Sequence, residues 1–142
     1  MQTWMRREYL VGAALITAAV GTVLLWAFDP ATSGIFPSCP LRYFTGLYCP
    51  GCGSLRAMHQ LLHGNLRAAW AMNPLMIALL PFLTYGLASE VLAVWRGKGL
   101  PQKFVPANWI WALCGIIILF GVVRNLPVHP FNLLAPGGMN RF

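Results

Sequence analysis

Three long apolar stretches limit the folds open to this chain more than any other feature of its sequence. They cover about residues 9–28, 74–95 and 108–123. An α-helix rises about 1.5 Å per residue, so about 20 apolar residues cross the hydrocarbon core of a bilayer. The stretches therefore predict three transmembrane helices. The first is also longer than the apolar core of a cleavable signal peptide, which favours a span that is retained.

The scarcity of charged residues also indicates that lipid is the solvent. Only 9% of the 142 residues are charged, whereas a soluble domain carries about 25% because water must solvate its surface. Ten basic and three acidic residues give a net charge of +7. The basic residues are scattered and do not form one stripe, so we expect no nucleic-acid partner. With three acidic residues, catalysis by a pair of carboxylates is not expected.

The region between the first two apolar stretches is too polar to cross a bilayer. Residues 31–53 are rich in proline and glycine and contain three cysteines. Residues 54–72 mix basic side chains with leucine and tryptophan around a break at Gly64-Asn65, which is typical of an interfacial or re-entrant amphipathic helical segment. We therefore predict an all-α integral membrane protein. It forms a single domain over residues 1–142, with three transmembrane helices, a cysteine loop and this interfacial segment.

The basic residues predict an orientation in the membrane. Arg6 and Arg7 precede the first span, and Arg96, Lys98 and Lys103 follow the second. With three spans, both groups lie on the same side, and the positive-inside rule identifies that side as the cytoplasm. The N-terminus is then cytoplasmic, and the cysteine loop and the C-terminal tail face outward.

The cysteine loop contains the residues best suited to binding a metal ion. Cys49 and Cys52 are separated by Pro-Gly, the preference of a type II turn that brings both sulfurs to one side. Zinc ribbons and rubredoxin-like sites use such a knuckle. Zinc binds four ligands in a tetrahedron. We expect Cys39 as the third ligand and His59 as the fourth, with His63 as the alternative.

Two other interpretations of the cysteines stay open. On an oxidising outer face, Cys39 can form a structural disulfide with Cys49 or Cys52, or the latter two can pair with each other. A Cys-x-x-Cys at the start of a helix can also act as a thiol–disulfide oxidoreductase. Cys49 and Cys52 would then be catalytic, either in this exchange or in a metal-assisted enzyme, and Arg56 would hold an anionic substrate. Whether the protein is an enzyme is left open. Cys114 lies among apolar residues of the third span, and we expect its side chain to pack there without a chemical role.

Four arginines lie on the predicted outer side, against the usual distribution: Arg42, Arg56, Arg67 and Arg124. Guanidinium groups bind phosphate oxygens through two parallel hydrogen bonds, so this set predicts a pocket for an anionic lipid headgroup or another anion. The alternative is that each side chain simply extends to the interface. Besides the bilayer, the expected partners are such a lipid and either a second membrane protein or a second copy of this chain.

The longest ordered pattern in the chain resembles a known family. The pattern consists of Cys39-Pro40, Thr45-Gly46, Cys49-Pro50-Gly51-Cys52-Gly53-Ser54, Arg56-Ala57, Leu61-Leu62, Gly64-Asn65, Ala68-Ala69 and Asn73-Pro74-Leu75. It resembles the bacterial membrane-protein family known as domain of unknown function two-seven-five-two, whose members more often carry threonine in place of Ser54. The resemblance implies a bacterial inner-membrane protein of unassigned activity. It also implies one group of residues near a membrane face: Cys39, Cys49, Cys52, Arg56, Asn73 and Pro74. His59 and His63 are outside the family pattern.

Overall fold

The computed structural model describes residues 2–96, 98–101 and 106–136. Across these residues the chain is helical and has no strands, which confirms the predicted all-α class. The helices are α1 (Gln2–Ala27), α2 (Pro40–Thr45), α3 (Ser54–Leu62), α4 (Leu66–Met72), α5 (Pro74–Arg96) and α6 (Ala107–Val123), followed by a 3-10 turn at Phe131–Leu134.

Each predicted apolar stretch coincides with a helix. By length and composition, Glu8–Ala27 within α1 and the whole of α5 are long and apolar enough to cross a membrane, whereas Asn108–Val123 in α6 is a shorter apolar helix. In the most apolar windows of α1 and α5, only 0% and 6% of the residues are buried inside the protein. The core helix of a soluble protein is mostly buried. The apolar surfaces of α1 and α5 are instead left uncovered by the rest of the described protein.

The interior of the described part of the chain is polar. Its largest fully buried side chains are Arg124, Asn73 and Ser89. The buried apolar residues are all small: Cys52, Ala57, Ala69 and Ala135. Leucine, isoleucine, phenylalanine and tryptophan side chains are instead exposed in large numbers. This distribution is the reverse of a water-soluble domain, where large apolar side chains fill the core.

The chain divides into two compact units, and the first contains most of α1 and α5. It is made from the described parts of Met1–Leu24 and Leu79–Phe104. The segment after α5 folds back onto that helix. The backbone N–H of Leu100 donates to the Ser89 hydroxyl at 3.1 Å, and the Tyr85 hydroxyl donates to the Pro101 carbonyl at 2.8 Å. Lys103, used above to predict the orientation, lies outside the described residues, and both the orientation and the single domain stay predictions.

The second unit, Leu25–Ala78 with the described part of Val105–Phe142, contains the cysteine loop. The predicted break at Gly64-Asn65 is confirmed, because α3 ends before Gly64 and α4 follows Asn65. Gly64 has a φ of 78°, which suits glycine at a reversal of this kind. The two short helices pack against each other and bury Ala57 and Ala69 completely, since small side chains let helices approach closely. The loop itself includes the short helix α2, which was not predicted.

Candidate metal centre

Three cysteine sulfurs of the second unit lie close enough to share one metal ion. Sγ of Cys49 is 3.3 Å from Sγ of Cys39 and 3.3 Å from Sγ of Cys52, and all three atoms lie within 4.8 Å of one another. Thiolates at the usual zinc–sulfur distance of about 2.3 Å stand about 3.8 Å apart in a tetrahedral site. Within the described residues, these three cysteines are the one group of three or more cysteine, histidine or acidic side chains that lie close enough together to bind a metal ion. All four cysteines are free thiols in the structure.

The knuckle that carries two of the sulfurs is a tight turn. The N–H of Cys52 donates to the carbonyl of Cys49 at 3.0 Å, and the N–H of Ser54 donates to the carbonyl of Gly51 at 3.1 Å. Gly53 then adopts a φ of 85° and precedes α3. A Cβ at this position would stand 2.6 Å from the carbonyl oxygen of Met72. Glycine is required here both by the left-handed backbone and by this close approach.

The third sulfur, that of Cys39, lies at the start of α2, and the pKa of this thiol is shifted in the opposite direction from that of Cys52. Cys39 is the N-cap residue of that helix. The backbone N–H of Arg42, followed by the Cys49 thiol, favours the thiolate form and lowers the pKa of Cys39 to about 7. Burial has the opposite effect on Cys52, where desolvation and the neighbouring thiols raise the pKa to about 12. A cation at the centre would favour the thiolate form of both, because metals bind sulfur only as thiolate.

Arg124, directly after α6, binds the backbone of the knuckle from inside the protein. Its side chain is 0% exposed. Nη1 donates to the carbonyls of Cys49 and Pro50 at 3.0 and 3.1 Å, and Nη2 donates to the carbonyl of Cys52 at 3.1 Å. Desolvation lowers the pKa of Arg124, while the nearby Cys52 and Cys49 oppose that shift. The guanidinium group therefore fixes three carbonyls of the turn and adds positive charge beside the sulfurs.

Asn73 holds the knuckle from a second direction. It is 1% exposed and precedes α5. Its Nδ2 donates to the carbonyl of Pro50 at 3.0 Å and to the hydroxyl of Ser54 at 2.9 Å. Its Oδ1 accepts from the N–H of Met76 at 3.1 Å, in the first turn of α5. One side chain thus caps the long apolar helix and fixes the turn that carries the cysteines.

Asn125 binds the residue that precedes the knuckle. Its Oδ1 accepts from the N–H of Tyr48 at 2.7 Å, and its Nδ2 donates to the carbonyl of Tyr48 at 2.9 Å. This side chain was not among the predicted site residues. The available signal was its position, because Arg124 and Asn125 form a polar pair directly after an apolar stretch.

The structure brings together two of the four arginines predicted to bind an anion. The guanidinium carbon of Arg42 lies 3.9 Å from the ring centroid of Tyr48, and that of Arg124 lies 5.8 Å from it. Arg56 and Arg67 are exposed on α3 and α4 and take no part in these contacts. A pocket formed by all four arginines therefore stays a prediction, and Arg124 has the different partners described above.

The two histidines considered as fourth ligands have other neighbours. Nδ1 of His59 lies 2.6 Å from the carbonyl oxygen of Leu25, near the end of α1. Nδ1 of His63 lies 2.8 Å from the carbonyl oxygen of His59, and its ring is stacked with that of Trp26. Neither belongs to the sulfur group. Within the described residues the group supplies three ligands, and a histidine as the fourth stays a prediction.

Comparison with known families confirms the resemblance noted from the sequence. Residues 39–87 match the family model described as "Protein of unknown function (DUF2752)". The match includes the three clustered cysteines and Asn73, and it ends before Arg124 and Asn125. No curated protein and no solved structure matches the chain.

Proposed function

We propose that this protein is a small membrane protein with a thiolate metal centre at one membrane face. In this proposal, Cys39, Cys49 and Cys52 bind one zinc ion. The observation that carries the proposal is the convergence of the three sulfurs within 4.8 Å. Water or a donor outside the described residues would complete the coordination sphere. A zinc ion supplies either a structural cross-link or a Lewis acid with an open position.

The membrane part of the proposal rests on the apolar helices. α1, α5 and α6 expose apolar side chains that a soluble protein would have to cover. The shortest, α6, has 17 residues and is about 26 Å long, close to the thickness of a bilayer core. Trp109 and Trp111 near its start are 70% and 73% exposed, as expected of interface anchors. We place the protein in the bacterial inner membrane with the N-terminus cytoplasmic and the cysteine loop outward.

Metal analysis of the purified protein tests the centre. We expect about one zinc per chain in detergent solution, and a thiolate charge-transfer absorption when cobalt(II) replaces zinc. Cys39→Ser, Cys49→Ser and Cys52→Ser should each reduce the bound metal. Cys114→Ser is the matched control, because Cys114 lies in α6 and outside the sulfur group. A wild-type protein that binds neither zinc nor cobalt(II) would refute the metal centre.

A second candidate function, thiol–disulfide exchange, is favoured by the lowered pKa of Cys39 and its 3.3 Å distance from Cys49. The Cys39 thiolate would attack a substrate disulfide, forming a mixed disulfide and releasing one substrate thiolate. Cys49 would then displace the second substrate thiolate, leaving a Cys39–Cys49 disulfide and a reduced substrate. The reacting pair differs from the Cys49 and Cys52 pair expected from the sequence.

Trapping separates this reaction from metal binding. A Cys49→Ser variant should accumulate the mixed disulfide through Cys39, because the resolving thiol is missing. If no mixed disulfide with a model disulfide substrate forms in metal-free Cys49→Ser protein, the exchange reaction is excluded.

We also propose that α3 and α4 lie in the membrane interface and bind an anionic lipid headgroup. Leu66 and Trp70 are more than half exposed, and Arg56 and Arg67 are exposed on the same pair of helices. Apolar side chains next to arginines are typical of interfacial helices. Native mass spectrometry from phosphatidylglycerol nanodiscs should detect retained lipid, and less of it in an Arg56→Gln, Arg67→Gln double variant. Equal retention by the two proteins would exclude this site.

A further inference from the structure

Arg124 has a buried positive charge with no carboxylate among its hydrogen-bond partners in the described part of the chain. Its Nη1 and Nη2 donate to the carbonyls of Cys49, Pro50 and Cys52, and its buried Nε has no hydrogen-bond partner among the described residues. The side chains of Cys52, Cys49 and Tyr48 interact with it electrostatically, and its guanidinium carbon lies 4.8 Å from the ring centroid of Phe120. The whole chain has three acidic residues, and in the second unit the only one is Asp29, whose carboxylate accepts from the N–H of Ala31.

A buried cation needs a compensating negative charge, because desolvation otherwise disfavours it strongly. Backbone carbonyl dipoles provide part of this compensation. Thiolates at the adjacent sulfurs would provide the rest. Three thiolates around one divalent cation carry one net negative charge, and Arg124 carries one positive charge. The two charges balance at a site where Cys52 and Arg124 are both buried.

We propose that Arg124 is the counter-charge and the positioning residue of the metal–thiolate centre. This inference rests on the metal centre proposed above and assigns a role to a residue outside the matched family region. The guanidinium group acts in two ways. It holds the carbonyls of both knuckle cysteines, so that their sulfurs are directed to one point, and its charge stabilises the centre when the three sulfurs are thiolates.

The test is the zinc affinity of the full chain in detergent, measured by competition with a chromophoric chelator. Arg124→Gln removes the charge and should weaken zinc binding by about 10–100-fold, the usual effect of losing a group that supports metal ligands. Arg124→Lys keeps the charge and should lose less than tenfold. Arg96→Gln is the matched control. It makes the same charge change at an exposed arginine of the first unit, outside the sulfur group, and its affinity should equal that of the wild type.

The outcomes are decisive in each direction. Arg124→Gln with wild-type affinity would overturn the inference while leaving the metal centre intact. Arg124→Lys as weak as Arg124→Gln would overturn the role as counter-charge. If Arg124→Gln does not fold, Arg124→Lys decides alone, since a loss greater than tenfold with the charge retained contradicts the proposal. A wild-type protein without zinc affinity refutes the metal centre itself, so the two failures are distinguishable.

Discussion

Gly121 in α6 lies directly against Pro50 of the cysteine knuckle. A Cβ built on Gly121 would stand 2.8 Å from Cγ and 3.2 Å from Cδ of the proline ring. Real Cβ atoms do not approach other atoms to 2.8 Å, so the helix can pass the knuckle at this distance only because residue 121 is glycine. The same closeness allows Arg124 and Asn125, one turn later, to reach the backbone of residues 48–52.

Replacing Gly121 by alanine should therefore destabilise the protein. Alanine favours a helix over glycine by about 1 kcal/mol, but the added methyl group would force Pro50 and the knuckle away from α6. Overpacking of this kind costs about 1–3 kcal/mol. We expect a lower thermal midpoint in detergent and weaker zinc binding.

Gly115→Ala is the matched control for this substitution. Gly115 lies in the same helix, and a Cβ there would meet nothing within 4 Å. Its thermal midpoint should stay the same or rise. Equal effects of the two substitutions would show that close contact with Pro50 is unimportant for stability.

Asn125→Ala should lower the free energy of unfolding by about 1–3 kcal/mol, because it leaves the N–H and carbonyl of Tyr48 without their partners. Asn65→Ala is a suitable control. The Asn65 side chain makes one exposed hydrogen bond, to Gln60, so its loss should change stability by less than about 0.5 kcal/mol. Denaturant unfolding in mixed micelles measures both. A loss at Asn125 no larger than at Asn65 would contradict the role of Asn125 in holding the loop.

Local pattern is enough to predict the three long apolar helices and the knuckle, but not the short helix α2. Hydropathy alone marks α1, α5 and α6, because each is a continuous apolar stretch with a polar residue or proline at its ends. The Pro-Gly pair between Cys49 and Cys52 predicts a turn that faces two sulfurs to one side. Cys39 is a ligand candidate because it is a cysteine ten residues before Cys49, and the structure places its sulfur beside that of Cys49.

The frame around the knuckle could not be predicted from local pattern. Arg124 and Asn125 act on residues more than 70 positions earlier in the chain, and no local rule relates such distant residues. The sequence predicts anion binding by Arg124 because guanidinium groups bind phosphate oxygens through two parallel hydrogen bonds. The sequence makes His59 and His63 ligand candidates because they are one helical turn apart. His59 lies in α3 and His63 is its C-cap residue, and their spacing does not specify whether their rings face the cysteines.

The cysteine pKa values predict an order of chemical modification in the metal-free protein. At pH 8, Cys39, with a pKa of about 7, is mostly thiolate, whereas Cys52, with a pKa of about 12, is almost entirely thiol. Only the thiolate reacts rapidly with iodoacetamide. Peptide mass spectrometry over time should find Cys39 modified well before Cys52, and zinc should slow the reaction of Cys39. Modification of Cys52 at the same rate as Cys39 would contradict the buried environment of Cys52.

Reporter fusions test the proposed orientation and the number of spans together. Alkaline phosphatase becomes active only in the oxidising periplasm, where its disulfides form, whereas green fluorescent protein fused to a membrane segment fluoresces in the cytoplasm. With three spans and a cytoplasmic N-terminus, phosphatase fused after Leu100 should be inactive, and phosphatase fused to the C-terminus should be active. The physical reason is the positive-inside rule: Arg96 and Lys98 keep the C-terminal end of α5 in the cytoplasm. The next helix, α6, then crosses the membrane from the cytoplasm to the outside.

The remaining patterns of reporter activity each exclude part of this topology. Activity only after Leu100 would invert the orientation and place the cysteines in the reducing cytoplasm, where a metal centre is still favoured but a stable disulfide is not. Activity at both positions, or at neither, would mean that α6 does not cross the bilayer. In that case its 17 residues would lie along the interface, and Arg124 would reach the knuckle from a helix parallel to the membrane surface.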